Sequence, residues 1–188
     1  MKKEDLFTQE FYASDKEVNH LKIMFDGSCG PVNPNGNVGY GYALFDEDSG
    51  DVLCEGWGYV LYDGSFQTSN NFAEWGAIRL ALEHLVSSGY SYNKLSICGD
   101  SMLVIRQVEG KWKIKGGSYS PIARRTLKDF GAIIKGAEVY HVGRDDNDYC
   151  DELSNRYISY LSTFGVETGG KFKLKNKRNE KSTDEGRV

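Results

Sequence analysis

Between residues 20 and 26 the side chains alternate, Leu21, Ile23 and Phe25 set against His20, Lys22 and Met24. A period of two predicts a strand, and this one ends on an acid, Asp26. A loop dense in Gly, Pro and Asn follows, GSCGPVNPNGN at 27–37. VGYGYALFD (38–46) and VLCEGWGYVLY (52–62) predict two more strands, joined by the turn EDSGD. Their short connections predict an antiparallel meander. The period then changes. Phe72, Trp75, Ile78, Leu82 and Leu85 fall on one face of a helix over 71–86, with Ser69 or Asn70 placed to cap it. KLSICGD (94–100) predicts a short strand that again ends on an acid. SMLVIRQVEG (101–110) and PIARRTLKDFGAIIKG (121–136) predict helices, the second opened by Pro121 and closed by Gly136. AEVYHVG (137–143) predicts a fifth strand, and NDYCDELSNRYISYLSTF (147–164) a closing amphipathic helix. The order βββαβααβα implies an α/β fold. Its core would be a mixed five-stranded sheet, three antiparallel strands then two parallel ones, flanked by helices.

Three segments follow from this pattern. Residues 1–19 are polar, with Leu6, Phe7, Phe11 and Tyr12 loosely spaced, and are expected to form an extension with one short helix at most. Residues 20–164 carry the folded domain. Residues 165–188 are lysine-rich, have little to bury and are expected to be disordered. The chain's 188 residues suit one such domain with flanking segments.

Charge alters the picture only locally. The net charge is −4, which excludes a protein that grips nucleic acid over its whole surface. The final segment is nevertheless basic, with seven Lys and Arg against four acids. No apolar run reaches the length of a membrane span, and no signal-peptide core follows the amino terminus. A cytoplasmic, monomeric protein is expected. Cys29, Cys54, Cys98 and Cys150 show neither a CxxC pair nor zinc spacing, so reduced thiols are expected.

Four acids stand where elements begin or end: Asp26 and Asp100 at strand ends, Glu74 early in the first long helix, Asp151 early in the last. If the first strand neighbours the fourth, Asp26 and Asp100 meet in the crevice where α/β sheets usually bind ligands. Carboxylates crowded together repel and raise one another's pKa. Two Mg²⁺ ions, with Mn²⁺ as a substitute, would neutralise them, since both take oxygen ligands. Such a pair is suited to phosphodiester hydrolysis.

FDGSCG (25–30), NPNGNVGYG (33–41), SNNFAE (69–74), ICGDS (97–101) and HVGRDDNDYCDELSN (141–155) carry a resemblance. In this order they resemble the motifs of type 1 ribonucleases H: an Asp-Gly-Ser start, an Asn-Pro-Gly loop, Thr-Asn-Asn-x-x-Glu, an Asp-Ser after an apolar strand, and His-x5-Asn-x3-Asp-x-Leu-Ala. The resemblance covers about residues 20–164. It implies a ribonuclease H-like fold and an endonuclease that hydrolyses the RNA strand of RNA–DNA hybrids, leaving 5′-phosphate and 3′-hydroxyl ends. It implies Asp26, Glu74, Asp100 and Asp151 as metal ligands and His141 as a mobile catalytic histidine. His141 equally suits a structural hydrogen bond at a strand end. The nineteen leading residues are too few to form the family's small hybrid-binding domain, so none is expected in them.

Telling RNA from DNA requires a contact to the 2′-hydroxyl. The resemblance implies Asn33, Asn70 and Asn71 for the minor groove and Ser69 for a DNA phosphate. The same residues suit a turn and a helix cap. GKWKIKGG (110–117) sets Lys111, Lys113 and Lys115 around Trp112, with Arg124, Arg125 and Lys128 beyond. That suits a DNA backbone, or else a solvated hairpin with Trp112 anchored in the core. Two rival functions share this pattern: another nuclease of the same fold, and a non-catalytic nucleic-acid-binding module.

Overall fold

The computed structural model of the chain describes residues 8–10 and 17–163. The strands are β1 (Thr8–Glu10), β2 (Glu17–Gly30), β3 (Asn37–Asp46), β4 (Val52–Val60), β5 (Ser91–Gly99) and β6 (Glu138–His141). The helices are α1 (Asn70–Ser88), α2 (Met102–Val108), α3 (Ser120–Gly136) and α4 (Asp148–Thr163). They build one sheet in the order β1-β4-β3-β2-β5-β6. β2, β3 and β4 pair antiparallel, and β5 and β6 add in parallel beside β2.

The five strands read from alternation are all present. β1 is a sixth, paired antiparallel to the edge strand β4 with Thr8 opposite Trp57, where the sequence suggested at most a short helix. Three residues are too few to show a period, and what specifies β1 is the open edge of β4. β2 also begins earlier than its alternation, because Glu17 and Val18 pair with Ser91 and Tyr92 of β5. Residues 1–7, 11–16 and 164–188, with the basic tail, lie outside the described residues.

Alternation on β2 assigns its two faces. Leu21, Ile23 and Phe25 enter the larger core with Trp75, Ile78 and Leu82 of α1 and Val104 and Ile105 of α2. Met24 points the other way, to Ala43, Cys98, and Cys150 and Leu153 of α4. α1 is therefore buried around most of its first half, against the sheet and against α3.

Backbone approach on both faces depends on glycine. A Cβ on Gly27 would lie 2.2 Å from the Glu74 amide nitrogen, so nothing larger lets the start of α1 sit on the end of β2. On the opposite face a Cβ on Gly39 would come within 2.0 Å of the Ser154 carbonyl oxygen, and one on Gly41 within 2.4 Å of Leu153 Cβ. These close approaches bring α1 and α4 to the same end of β2.

Candidate metal centre

Parallel pairing of β2 with β5 stops at Met24 beside Cys98, and β5 ends at Gly99, just before Asp100. β2 does not stop at Asp26 as its alternation suggested but runs on to Gly30, because residues 26–30 stay paired with β3. Asp26 and Asp100 thus stand side by side where the parallel pair parts. α1 opens at Ser69, whose side chain accepts from the Phe72 amide at 3.2 Å. The helix then delivers Glu74 over Gly27. One carboxylate oxygen from each of Asp26, Glu74 and Asp100 lies within 4.8 Å of the other two. Asp26 and Glu74 are each only 6% exposed, so water does little to screen their charges.

Burial pushes Asp26 up to about 7, assisted by the charges of Asp100 and Asp151 and opposed by a hydrogen bond from Ser154. Burial, then Asp26 and Asp100, raises Glu74 well above the usual carboxylate range, while Arg144 acts the other way. Glu74 Oε2 is buried with no hydrogen-bond partner among the described residues. A buried oxygen with no donor, inside a ring of carboxylates that repel one another, fits a divalent cation with oxygen preference.

Asp26 binds its proton more tightly in the folded chain than at its ordinary value of 3.8. Its contribution to stability is therefore full below pH 4 and is lost as the pH rises through 7. At about 1.36 kcal/mol per unit this penalty is on the order of 1–4 kcal/mol. Without divalent ions the protein should be less stable at pH 8 than at pH 5.5, and millimolar Mn²⁺ should reverse the loss. Urea denaturation at both pH values, with and without Mn²⁺, reads this directly.

The remaining candidates divide. Asp151 lies on the exposed side of the first turns of α4, outside the three-carboxylate group but close enough to raise Asp26. His141 ends β6, is exposed, and sets Nε2 3.1 Å from the carbonyl oxygen of Asp100. Asn33 and Asn70 come together, the Asn70 amide donating to Asn33 Oδ1 at 3.2 Å. Asn71 is half-buried in the first turn of α1. Ser69 Oγ lies 3.2 Å from Ser118 Oγ, which brings the α2–α3 connection to the start of α1. On that connection Lys111, Trp112 and Lys113 are exposed, and Lys111 pairs with Glu109 at 2.9 Å. Trp112 is 50% exposed and anchors no core; that place is taken by Trp75, fully buried, donating from Nε1 to Gln107.

Three contributors escaped the sequence reading. Asn147 Nδ2 donates to the Phe25 carbonyl at 3.0 Å and to Asp100 Oδ1 at 3.3 Å, tying both strand ends to the start of α4. Its signal was the Asn of HVGRDDN. Arg144 sets Nε 3.6 Å from Asp100 Oδ2. Ser154 Oγ donates to Asp26 Oδ2 at 2.6 Å, its one signal being a serine where the resembled motif has alanine.

This sheet order, with Asp26 and Asp100 side by side where its central parallel pair parts and helices on both faces, is the ribonuclease H-like fold. The chain belongs to the reverse transcriptase-like family, which it matches over residues 25–157. It is 29% identical to YpeP of Bacillus subtilis over 162 residues, 77% of this chain and 62% of that protein. It is 30% identical to ribonuclease HI of Halobacterium salinarum over 141 residues, 73% of this chain and 64% of that enzyme. The chain thus spans somewhat under two thirds of these relatives' lengths. LC11-RNase H1, isolated from compost and solved in complex with an RNA/DNA hybrid, is a structural neighbour with a TM-score of 0.65 and 28% identity. The match covers 76% of this chain and 99% of that one. The resemblance to type 1 ribonucleases H therefore holds in sequence and in fold. No helix among the described residues is long and apolar enough to cross a membrane.

Proposed function

We propose that this chain is an endonuclease that hydrolyses the RNA strand of RNA–DNA hybrids with two divalent ions, leaving 5′-phosphate and 3′-hydroxyl ends. The observation that carries the reading is the convergence of one oxygen each from Asp26, Glu74 and Asp100 within 4.8 Å. These three, joined by Asp151, would hold two Mg²⁺, or Mn²⁺ in their place. When bound, the ions supply Lewis-acid stabilisation of the charge that develops around the scissile phosphate. The chain's own groups do the rest. Asn147 holds Asp100 and the end of β2 in one arrangement. His141 is exposed at the end of β6, with Nε2 3.1 Å from the Asp100 carbonyl oxygen, in reach of a proton moving at the site.

The paired Asn33 and Asn70, with Asn71, read the minor groove and the 2′-hydroxyl. Ser69 contacts a DNA phosphate. Lys111 and Lys113 neutralise backbone charge, and Trp112 offers its exposed ring to the nucleic acid. The structural neighbour holding an RNA/DNA hybrid supports this choice of ligand. A cytoplasmic monomer fits the four unpaired thiols.

Trp112→Ala is expected to raise KM for the hybrid about 5- to 150-fold, from the ~1–3 kcal/mol typical of a stacked base. kcat should hold, because the ring supplies no group to the chemistry at the carboxylates. Steady-state kinetics at fixed salt separates the two constants. The proposal itself is tested with matched RNA–DNA, RNA–RNA and DNA–DNA duplexes, Mg²⁺ and Mn²⁺ supplied separately. Cleavage confined to the RNA strand of the hybrid is expected. Equal cleavage of a DNA duplex would make this another nuclease of the same fold, and cleavage of none would make it a binding module.

A further inference from the structure

α4 crosses the sheet face opposite α1, and its seventh residue, Ser154, is fully buried. Where the family motif has alanine, this chain has a hydroxyl. That hydroxyl lies 2.6 Å from Asp26 Oδ2, the length of a charge-assisted bond. It also lies 3.1 Å from the Asp151 carbonyl oxygen one turn earlier, so one side chain touches both β2 and the turn that carries Asp151.

The backbone around Ser154 is clamped. Ser28 Oγ donates to its carbonyl oxygen at 2.9 Å. The glycine faces of β3 press on it from the other side: a Cβ on Gly41 would come within 2.6 Å of the Ser154 nitrogen. A side chain held on a fixed backbone has two acceptors within reach, the Asp151 carbonyl of its own helix at 3.1 Å and the Asp26 carboxylate at 2.6 Å. The shorter bond, to the group that can carry charge, is the stronger.

We propose that Ser154 is a positioning residue of the metal centre: its hydroxyl fixes the Asp26 carboxylate and tethers the Asp151 turn of α4 to it. The inference rests on the metal-centre reading above. With one Asp26 oxygen engaged by Ser154, the carboxylate cannot rotate freely, and its ligand atom stays aimed at Glu74 and Asp100. Loss of the hydroxyl frees that rotation and loosens α4 against β2. Outer partners of this kind typically change metal affinity by ~10–100-fold.

Ser154→Ala should therefore weaken Mn²⁺ binding to the free protein about 10-fold in titration calorimetry. In hybrid cleavage it should raise the Mg²⁺ concentration giving half-maximal rate while leaving KM for the hybrid unchanged. Ser154→Cys keeps a hydrogen-bond donor at the same position, weaker and on a slightly larger atom, and should fall between the alanine variant and the unaltered chain. It decides the matter if the alanine variant melts early in EDTA. Ser162→Ala, which removes a hydroxyl that donates along α4 to the Ile158 carbonyl, should match the unaltered chain and serves as the control. Unchanged Mn²⁺ affinity in Ser154→Ala would overturn the inference while leaving the metal centre standing. Failure of the unaltered chain to bind Mn²⁺ would overturn the metal-centre reading itself, and this inference with it.

Discussion

Asp26→Asn is expected to lower hydrolysis of an RNA–DNA hybrid by about 10³-fold or more while making the metal-free protein more stable. The two effects share one cause. Asp26 is buried beside Glu74 and Asp100, and on the proposed reading its charge serves to hold cations. Removing a ligand forfeits several kcal/mol of charge stabilisation in the transition state, and each ~1.36 kcal/mol is a factor of ten in rate. Without cations the same charge is a cost, which burial sets by pushing Asp26 up to about 7. An amide removes that cost and still accepts the Ser154 hydroxyl. A gain of about 1–3 kcal/mol is therefore expected at pH 8 in EDTA, shrinking towards pH 5. Initial rates and urea denaturation, on one preparation, read both. A variant that lost activity through misfolding would lose stability as well.

Gly27→Ala should be nearly as damaging to activity by an unrelated route. The new methyl would sit 2.2 Å from the Glu74 nitrogen and 2.5 Å from the Ala73 carbonyl carbon. Both are backbone atoms of α1, so no side-chain rotation relieves the clash and the helix must lift from β2. Overpacking against atoms that cannot yield costs about 3 kcal/mol or more. Glu74 moves with the helix, and a displacement near 1 Å at a reacting centre costs about 10²-fold in rate. Gly131→Ala is the natural comparison. It lies within α3 with open space around the added methyl, so it should stabilise the chain by a few tenths of a kcal/mol to about 1. Thermal melting and rates for the pair separate a steric collision from any general effect of replacing glycine.

The main strands and helices were legible because their periods are unambiguous. Leu21, Ile23 and Phe25 point to one core, and the apolar side of α4 to the other. The carboxylates were legible through position, because an acid that ends an apolar strand has few structural reasons to be there. β1 was not legible, since a three-residue strand is specified by its partner edge rather than its own pattern. Nor could spacing say that Asp151 stands outside the tight group of three, because that depends on how far α4 turns before it meets β3. Asn147 and Ser154 were missed for a related reason. Their roles are hydrogen bonds across 122 and 128 residues of chain, visible only once two strand ends and a helix share one corner. Trp75 was legible as a core residue from its place on the apolar face of α1. Trp112, in a stretch with no period, was left between a solvated hairpin anchored in the core and a nucleic-acid contact, and only its surroundings in space show it exposed.

Anomalous diffraction from crystals grown with Mn²⁺ tests the central claim most directly. Density for a cation bounded by oxygens of Asp26, Glu74 and Asp100, bonded at about 2.0–2.2 Å as small divalent ions require, is the expected result. Manganese bound only elsewhere on the protein, with the three carboxylates protonated and bonded to one another, would contradict it.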